Sequence, residues 1–284
     1  MLLIVGSTGI AIQKCDSTGH FMNTDDVVAI EEPLEIRLDF GTVNNRQIQN
    51  VAVTMRTPGN DAELALGFLF TEGIITHHQD IASAQHAFIA CAENRENVIV
   101  ISLQPHAVAN LGKANRNFYT TSSCGVCGKS SISAIRTVST YTADSNYDTI
   151  TAETLYHLPT ILRNHQDVFD TTGGLHASAL FTPEGELLCV REDVGRHNAL
   201  DKLIGYALQN NWLPIQNKIL LLSGRVSFEL VQKAAMAGIG IIAAIGAPSS
   251  LAVQLAKEFN ITLVGFLRNQ RFNIYTAGHR ITNY

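Results

Sequence analysis

From residue 28 onward the chain alternates apolar and polar positions. Stretches 28–31, 34–40 and 49–55 read as strands, with a turn at 41–45, and together predict an antiparallel sheet with one solvated face. The period then lengthens. Asn60 stands where an N-cap belongs, Glu63 at the reciprocal capping-box position, and Leu64, Phe68 and Leu69 supply an apolar side before Gly73 closes the helix. Residues 97–103 form another strand. The second half is more regular: helix 152–163, strands 177–181 and 187–190 around a turn at 183–186, helix 197–210, strand 218–222, helix 226–237, strand 239–245, helix 250–259 and strand 261–266. That order predicts a partly parallel sheet with helices on its faces. The expected class is α/β (α+β overall), with a β-rich N-terminal domain over 27–148 and a second domain over 149–284. Residues 1–26 show no sustained period and are expected to be a loosely structured segment.

Composition narrows the function classes. The chain has 284 residues, 46% hydrophobic and 16% charged, with a formal net charge of −5, which lacks the basic excess of a nucleic-acid binder. Its five cysteines, Cys15, Cys91, Cys124, Cys127 and Cys189, are an odd number, which argues against a disulfide framework and for a reducing compartment. The apolar start, Met1 to Val5, has no basic residue before it and is broken by Gly6, so no signal peptide is expected. No stretch reaches the ~18 apolar residues of a membrane span. A cytoplasmic protein without nucleic-acid or membrane partners is the expectation.

The candidate chemistry centres on Ser123-Cys124-Gly125-Val126-Cys127-Gly128, behind a hydroxyl-rich run and ahead of a helix-type run. A thiol at a loop-to-helix junction meets free backbone N–H groups and the positive end of a helix dipole, which lower its pKa. Structural zinc would need a second ligand pair at partner spacing, and neither Cys91 nor the His77-His78 pair offers one. No metal is expected. A thioredoxin-type dithiol would follow the first strand of a βαβ unit, whereas here a long polar connection, 104–117, precedes it. A sulfur carrier needs an accessible thiolate that can hold a persulfide. Local chemistry leaves the last two readings open. Cys15 reads as a bland free thiol and Cys189 as a buried core residue.

Three strand-to-helix junctions share one character: 193–198, Ser223-Gly224-Arg225-Val226-Ser227, and Gly246-Ala247-Pro248-Ser249-Ser250. In open α/β sheets ligands bind at the carboxyl ends of strands, and helix N-termini present N–H groups to anions. Together they suggest a phosphate-bearing ligand, although the spacing fits neither a Walker loop nor a dinucleotide fingerprint. Phe266-Leu267-Arg268-Asn269-Gln270-Arg271 adds two arginines and two amides suited to phosphate and a purine or pterin edge, or else forms a solvated basic turn. The dense run Arg191-Glu192-Asp193 is either a site or an internal salt-bridge cluster. His176, behind Thr172-Gly173-Gly174, reads as a core histidine with Asp170 as an available partner.

These residues resemble the formate dehydrogenase accessory sulfurtransferases, the FdhD/NarQ family. The matching pieces are Asn60-Asp61 with Glu63 to Ala65 and Gly67 to Gly73; the Cys124/Cys127 motif; Thr172 to Gly174 with His176-Ala177; and the run from Arg191 to Lys202. Ser223-Gly224-Arg225, Ala247 to Ala252 and Gly265 to Arg268 complete them. The resemblance implies a sulfurtransferase that takes sulfur from a cysteine desulfurase as a Cys124 persulfide. The sulfur passes to molybdenum cofactor, as bis(molybdopterin guanine dinucleotide), before insertion into formate dehydrogenase. It implies a homodimer, a role for Cys127 beside Cys124, and cofactor binding by Phe266 to Arg271 with His197, Ser223, Gly224, Arg225 and Ser249. It also implies a cytidine-deaminase-like α/β/α C-terminal domain. His197-Asn198-Ala199 stands where a deaminase has His-Ala-Glu, and 223–227 where its thiolate zinc ligands lie, so neither zinc nor deamination is expected. A cofactor-binding chaperone without sulfur transfer and a dithiol oxidoreductase remain the alternatives.

Overall fold

The strands predicted at 34–40 and 49–55 belong to a four-stranded sheet that carries half of the core. In the computed structural model the described residues are 4–87, 95–111, 141 and 149–283; Cys91 and the Cys124/Cys127 motif lie outside them. A hairpin comes first, β1 (Ser7–Cys15) antiparallel to β2 (Phe21–Ala29). The four-stranded sheet follows, with β3 (Glu32–Thr42), β4 (Asn45–Arg56), β5 (Ile81–His86) and β6 (Val98–Leu103) in the order β4-β3-β6-β5. Helix α1 (Asp61–Thr71) covers the face that presents Leu34, Ile36 and Leu38.

The remaining elements, in chain order, are β7 (Ile150–Thr151), α2 (Ala152–Arg163), α3 (Asp167–Thr172), β8 (His176–Phe181), β9 (Leu187–Asp193), α4 (Arg196–Gln209) and β10 (Ile219–Leu222). Then come α5 (Phe228–Met236), β11 (Ile241–Ala244), α6 (Ser250–Glu258), β12 (Thr262–Arg268), β13 (Arg271–Thr276) and β14 (Ile281–Thr282). The sheet order is β13-β12-β11-β10-β8-β9, parallel only across β10, β11 and β12. Strand alternation divides the core. Leu220, Ile242 and Leu263 face α4, α5 and α6, while Ile219, Ile241 and Val264 face α2 through Leu155, Leu158 and Leu162. This three-layer sandwich is the expected α/β/α arrangement.

Three expectations need correction. Residues 1–26 carry the β1–β2 hairpin, closed by a turn in which Asp16 accepts from Thr18 and His20. Most of that hairpin is exposed on both faces, so no burial imposes an apolar period on it. Asn60 does not cap α1. It sits in the left-handed region at φ 57, where its side chain makes no cap bond, and Glu63 points away to Arg191. The strand expected to end at 266 is longer; β12 runs on to Arg268 and returns antiparallel as β13.

The two predicted halves share one core. The first cluster of buried residues runs from Leu34 and Leu64 through Leu203 and Leu220 to Leu263. The junction is an antiparallel crossing of α1 over α4 made by two glycines. A Cβ on Gly67 would overlap the carbonyl of Asp201, and one on Gly205 the carbonyl of Glu63. Beside it Lys233 donates to Asp201 at 2.8 Å and to Thr71 at 2.9 Å, joining α5 to the pair. Both obstructing atoms are backbone, so neither can rotate aside. Gly67→Ala is expected to destabilise the protein by about 3 kcal/mol, as a lowered urea midpoint, because overpacking here must separate the helices.

Candidate functional site

The carboxyl ends of β10, β11 and β12 bring three predicted loops into contact. Ser223 Oγ accepts from Ala177 N at 2.8 Å, which pins the first loop to the start of β8. Gly246 N donates to Gly224 O at 3.2 Å, Val226 N to Ala247 O at 3.1 Å, and Phe266 N to Gly246 O at 3.0 Å. The stacking depends on bare backbone, since a Cβ on Gly246 would lie 2.8 Å from Gly224 O. His197, Ser223, Gly224, Arg225, Ser249 and Phe266 therefore share one sheet edge.

Their roles differ. Ser249 caps α6, its hydroxyl accepting from Ala252 N at 3.2 Å. Leu267 is 1% exposed and packs in the core facing α2, so of the predicted binding stretch it cannot be a ligand contact; the irregularity between Gly265 and Arg268, with Phe266 at positive φ, turns it to the same face as Val264. Phe266 is half-buried at φ 55, a costly conformation for an aromatic residue, at an irregularity in the β12–β13 pairing. Asn269 and Gln270, at φ 54 and 53, form the exposed two-residue turn between the paired Arg268 and Arg271. The Arg268 guanidinium lies 5.9 Å from the Phe266 ring centre. This tip presents two cations and two amides to solvent.

Next to the first loop, His197 Nε2 and Ser227 Oγ are 3.1 Å apart and Glu229 Oε2 is 3.8 Å from the same nitrogen. Burial pushes the Glu229 carboxyl up, but His197, its own backbone N–H and Ser227 outweigh that and bring it down to about 2. Where the resemblance places deaminase metal ligands, the chain thus has a hydroxyl, an imidazole and a carboxylate bonded to one another. Among the described residues no group of three His, Cys, Asp or Glu side chains is arranged to hold a metal ion.

His176, taken from sequence as a core histidine, lies at this edge. Asp170 is engaged elsewhere, with Arg163 at 2.6 Å. A Cβ on Gly224 would come within 3.1 Å of His176 Nδ1, so the ring lies over that glycine. Burial holds its pKa below the usual value, with Arg196, His197 and Arg225 adding to the effect and Asp193 opposing it. The sequence signal was present, since Gly173-Gly174 delivers the first residue of β8 to the strand edge where Ser223 also arrives.

The dense run from Arg191 to Lys202 is internal bracing. Arg191 pairs with Glu63 of α1 and stacks 4.6 Å over Tyr206. Glu192 accepts from Val168 and Phe169 N at 3.2 and 3.0 Å. Asp193, fully buried, bonds Lys202 Nζ at 2.7 Å, Gly195 N at 2.8 Å, Asn198 Nδ2 at 3.1 Å and Thr57 N at 3.2 Å. Asn198 Nδ2 also donates to Met55 O at 2.7 Å. A cavity of about 230 Å³ beside β9 is walled by the same residues, and its Arg191, Glu192 and Lys202 are already paired within the protein. Cys189, in β9, has its thiol pushed up to about 11 by burial and is inert, while Cys15 is exposed.

The family model of the FdhD/NarQ family matches residues 29–282. A sulfur carrier protein FdhD from Mycolicibacterium paratuberculosis is 50% identical over 272 residues, covering 93% of this chain and 95% of its own length. The protein of the same name from Sulfolobus acidocaldarius is 43% identical, covering 93% and 94%. A crystal structure from Desulfotalea psychrophila, assigned as a formate dehydrogenase accessory protein, superposes with a TM-score of 0.74 at 24% identity, covering 98% of this chain and 100% of its own, which shows a shared fold. Among the described residues no helix is long and apolar enough to cross a membrane.

Two outcomes follow from the bracing and the triad. Lys202→Met leaves Asp193 buried without its cation and is expected to cost about 3–5 kcal/mol in denaturant unfolding. The Glu229 carboxyl has a folded pKa below its unfolded value, so it stabilises above pH 4.5 and that contribution fades as pH falls toward about 2. In thermal unfolding, Glu229→Gln is therefore expected to be less stable than the parent near neutral pH and to converge with it in strong acid.

Proposed function

The chain belongs to the FdhD/NarQ family, and on that premise we propose that it is a sulfur carrier serving formate dehydrogenase, acting as a cytoplasmic homodimeric sulfurtransferase. The observation that carries this is the likeness, at 50% identity over nearly the whole chain, to a protein named as a sulfur carrier. In the proposed reaction the Cys124 thiolate attacks the terminal sulfur of a cysteine desulfurase persulfide. A new S–S bond forms on Cys124 and the desulfurase thiolate leaves. The terminal sulfur then passes to molybdenum cofactor, here a substrate: the reduced acceptor gives the electron pair that forms the new bond to sulfur, the S–S bond breaks, and Cys124 departs as thiolate. Cys127 lies three positions away, suited to assist that release. Both cysteines fall outside the described residues, so their part rests on the motif alone.

The sheet edge supports the acceptor half of this reading. A bis(molybdopterin guanine dinucleotide) is polyanionic and bears purine edges. The β12–β13 tip offers Arg268 and Arg271 for phosphate, Asn269 and Gln270 for base edges, and Phe266 for stacking. Ser223 and Ser249 are engaged in bracing, so their contribution is the shape of the loops. Tyr141, the single described residue between 112 and 148, packs toward Gly238 ahead of β11, at the opposite end of the strands from this edge.

The test is direct. After incubation with a cysteine desulfurase and cysteine, peptide mass spectrometry is expected to find one added sulfur on Cys124. Cys124→Ala is expected to abolish maturation of active formate dehydrogenase in a strain lacking the endogenous protein. Full activity with that variant would overturn the carrier reading. A reversible Cys124–Cys127 disulfide without any persulfide would favour a dithiol oxidoreductase.

A further inference from the structure

Among the described residues, one sheet edge lacks the usual protection against further pairing. The edge strands β4, β5, β9 and β13 each meet their neighbour through a register irregularity. Bulges of this kind bend an edge away from another strand. The β1–β2 ladder instead runs without a break from Ser7–Ala29 to Cys15–Phe21. It is also a bare arm. From Thr8 to Cys15 and from Phe21 to Asp26 every residue except Ile12 is exposed, and burial begins at Ser7 and Val27. A two-stranded hairpin open on both faces is marginally stable in water, so this arm lacks a partner that would stabilise it.

The two sides of the arm differ. Strand β2 carries Asp25 and Asp26 in succession, one on each face, and such charges keep a strand edge in water. Strand β1 has no charge and no proline from Ser7 to Gln13. Residues paired across the ladder share a face, so Ile10, Ile12, Met22 and Val28 lie together with Thr8 and Thr24. Asp26 and Lys14 stand at the margins of that face, while Gln13, Asn23 and Asp25 lie on the other. Ile10 is 42% and Met22 49% exposed, with nothing over them among the described residues.

We propose that the occupant of the β1 edge is β1 of a second copy, running antiparallel about a two-fold axis at Ala11. In that register Ile10 faces the partner's Ile12, Ile12 faces the partner's Ile10, Gly9 faces the partner's Gln13 and Thr8 faces the partner's Lys14. The isoleucines form one cluster, no like charges oppose, and both backbone edges are satisfied. The two arms become a single four-stranded sheet in the order β2-β1-β1-β2, with the aspartates of β2 on its outer, solvated edges. This deepens the homodimeric reading and rests on it for the second copy; the register and the strand are new. Because β2 passes into β3 through Ile30, whose N–H donates to Gly6 O at 2.8 Å, the joined arms tie the four-stranded sheets of both copies together.

Sedimentation velocity on the full chain tests it. The parent is expected to be a dimer. Ile10→Lys/Ile12→Lys sets lysines against lysines across the axis and is expected to raise the dimer dissociation constant ~10-fold or more, with thermal unfolding of the monomer unchanged. Ile10→Lys/Ile12→Glu sets each lysine against a glutamate of the partner and is expected to restore the dimer. In a second measurement, Ala11→Cys in a Cys15→Ser background is expected to give a disulfide-linked dimer on mild oxidation that Cys15→Ser alone does not. Its two Cα atoms would stand about 5 Å apart, within disulfide reach. A monomeric parent would overturn both the homodimeric reading and this inference. A dimer indifferent to the paired lysines would overturn the inference alone, as would a Lys/Glu variant that stays monomeric. Should the paired-lysine variant fail to fold, absence of the Ala11→Cys cross-link overturns the inference instead.

Discussion

Everything at the strand edge depends on how closely α1 approaches α4. At Gly67 and Gly205 the helices meet backbone to backbone, with no side chain between them. That contact sets the height of α4 above the sheet and hence the position of its first turn, where Arg196 and His197 stand. It also draws the four-stranded sheet into the same core as β10 and β11, so the chain folds as one packed body across the boundary expected at 148. Close packing transmits displacement, because an interior at crystal-like density has no slack. A shift of α1 would therefore move the site although α1 contributes no residue to it.

The run from Arg191 to Lys202 does the same work with charge. Asp193 and Lys202 form an ion pair excluded from water, and the favourable part of such a pair is consumed by desolvation unless further bonds satisfy both groups. Here they do, through Thr57, Gly195, Asn198 and the carbonyls of Thr57 and Glu192. One of these partners, Thr57, lies on the segment before α1 and contributes both its N–H and its carbonyl. The network fixes register between the two sheets more than it adds stability. Its density made the run conspicuous in the sequence and at the same time ambiguous, since a catalytic cluster and a brace draw on the same residue types.

What was legible followed burial. Helix α2 matched its expected bounds at both ends, and β8 to β12 appeared in order, because alternating apolar positions face two different cores. The β1–β2 hairpin was missed because exposed strands need no apolar period, although the Asp16 to Gly19 turn was there to read. The cap expected at Asn60 failed on a tertiary contact, with Glu63 drawn 128 residues along the chain to Arg191. At the site, the loop set was legible from Gly, Ser and Arg at strand ends. The inward turn of Leu267 was not, since seeing it required knowing that β12 continues to Arg268.

His176 shows why the last part of a site is the hardest to read from sequence. A histidine opening an apolar strand beside an aspartate has an ordinary explanation, and nothing local contradicts it. What changes its meaning is its placement, with the ring over Gly224 at the edge that the Ser223 loop also reaches. The start of α5 supplies a second case. There Ser227, His197 and Glu229 engage one another, so three polar groups that could be read from sequence as a site are partnered within the protein. Polar groups fixed in this way are preorganised, whether for binding or for catalysis.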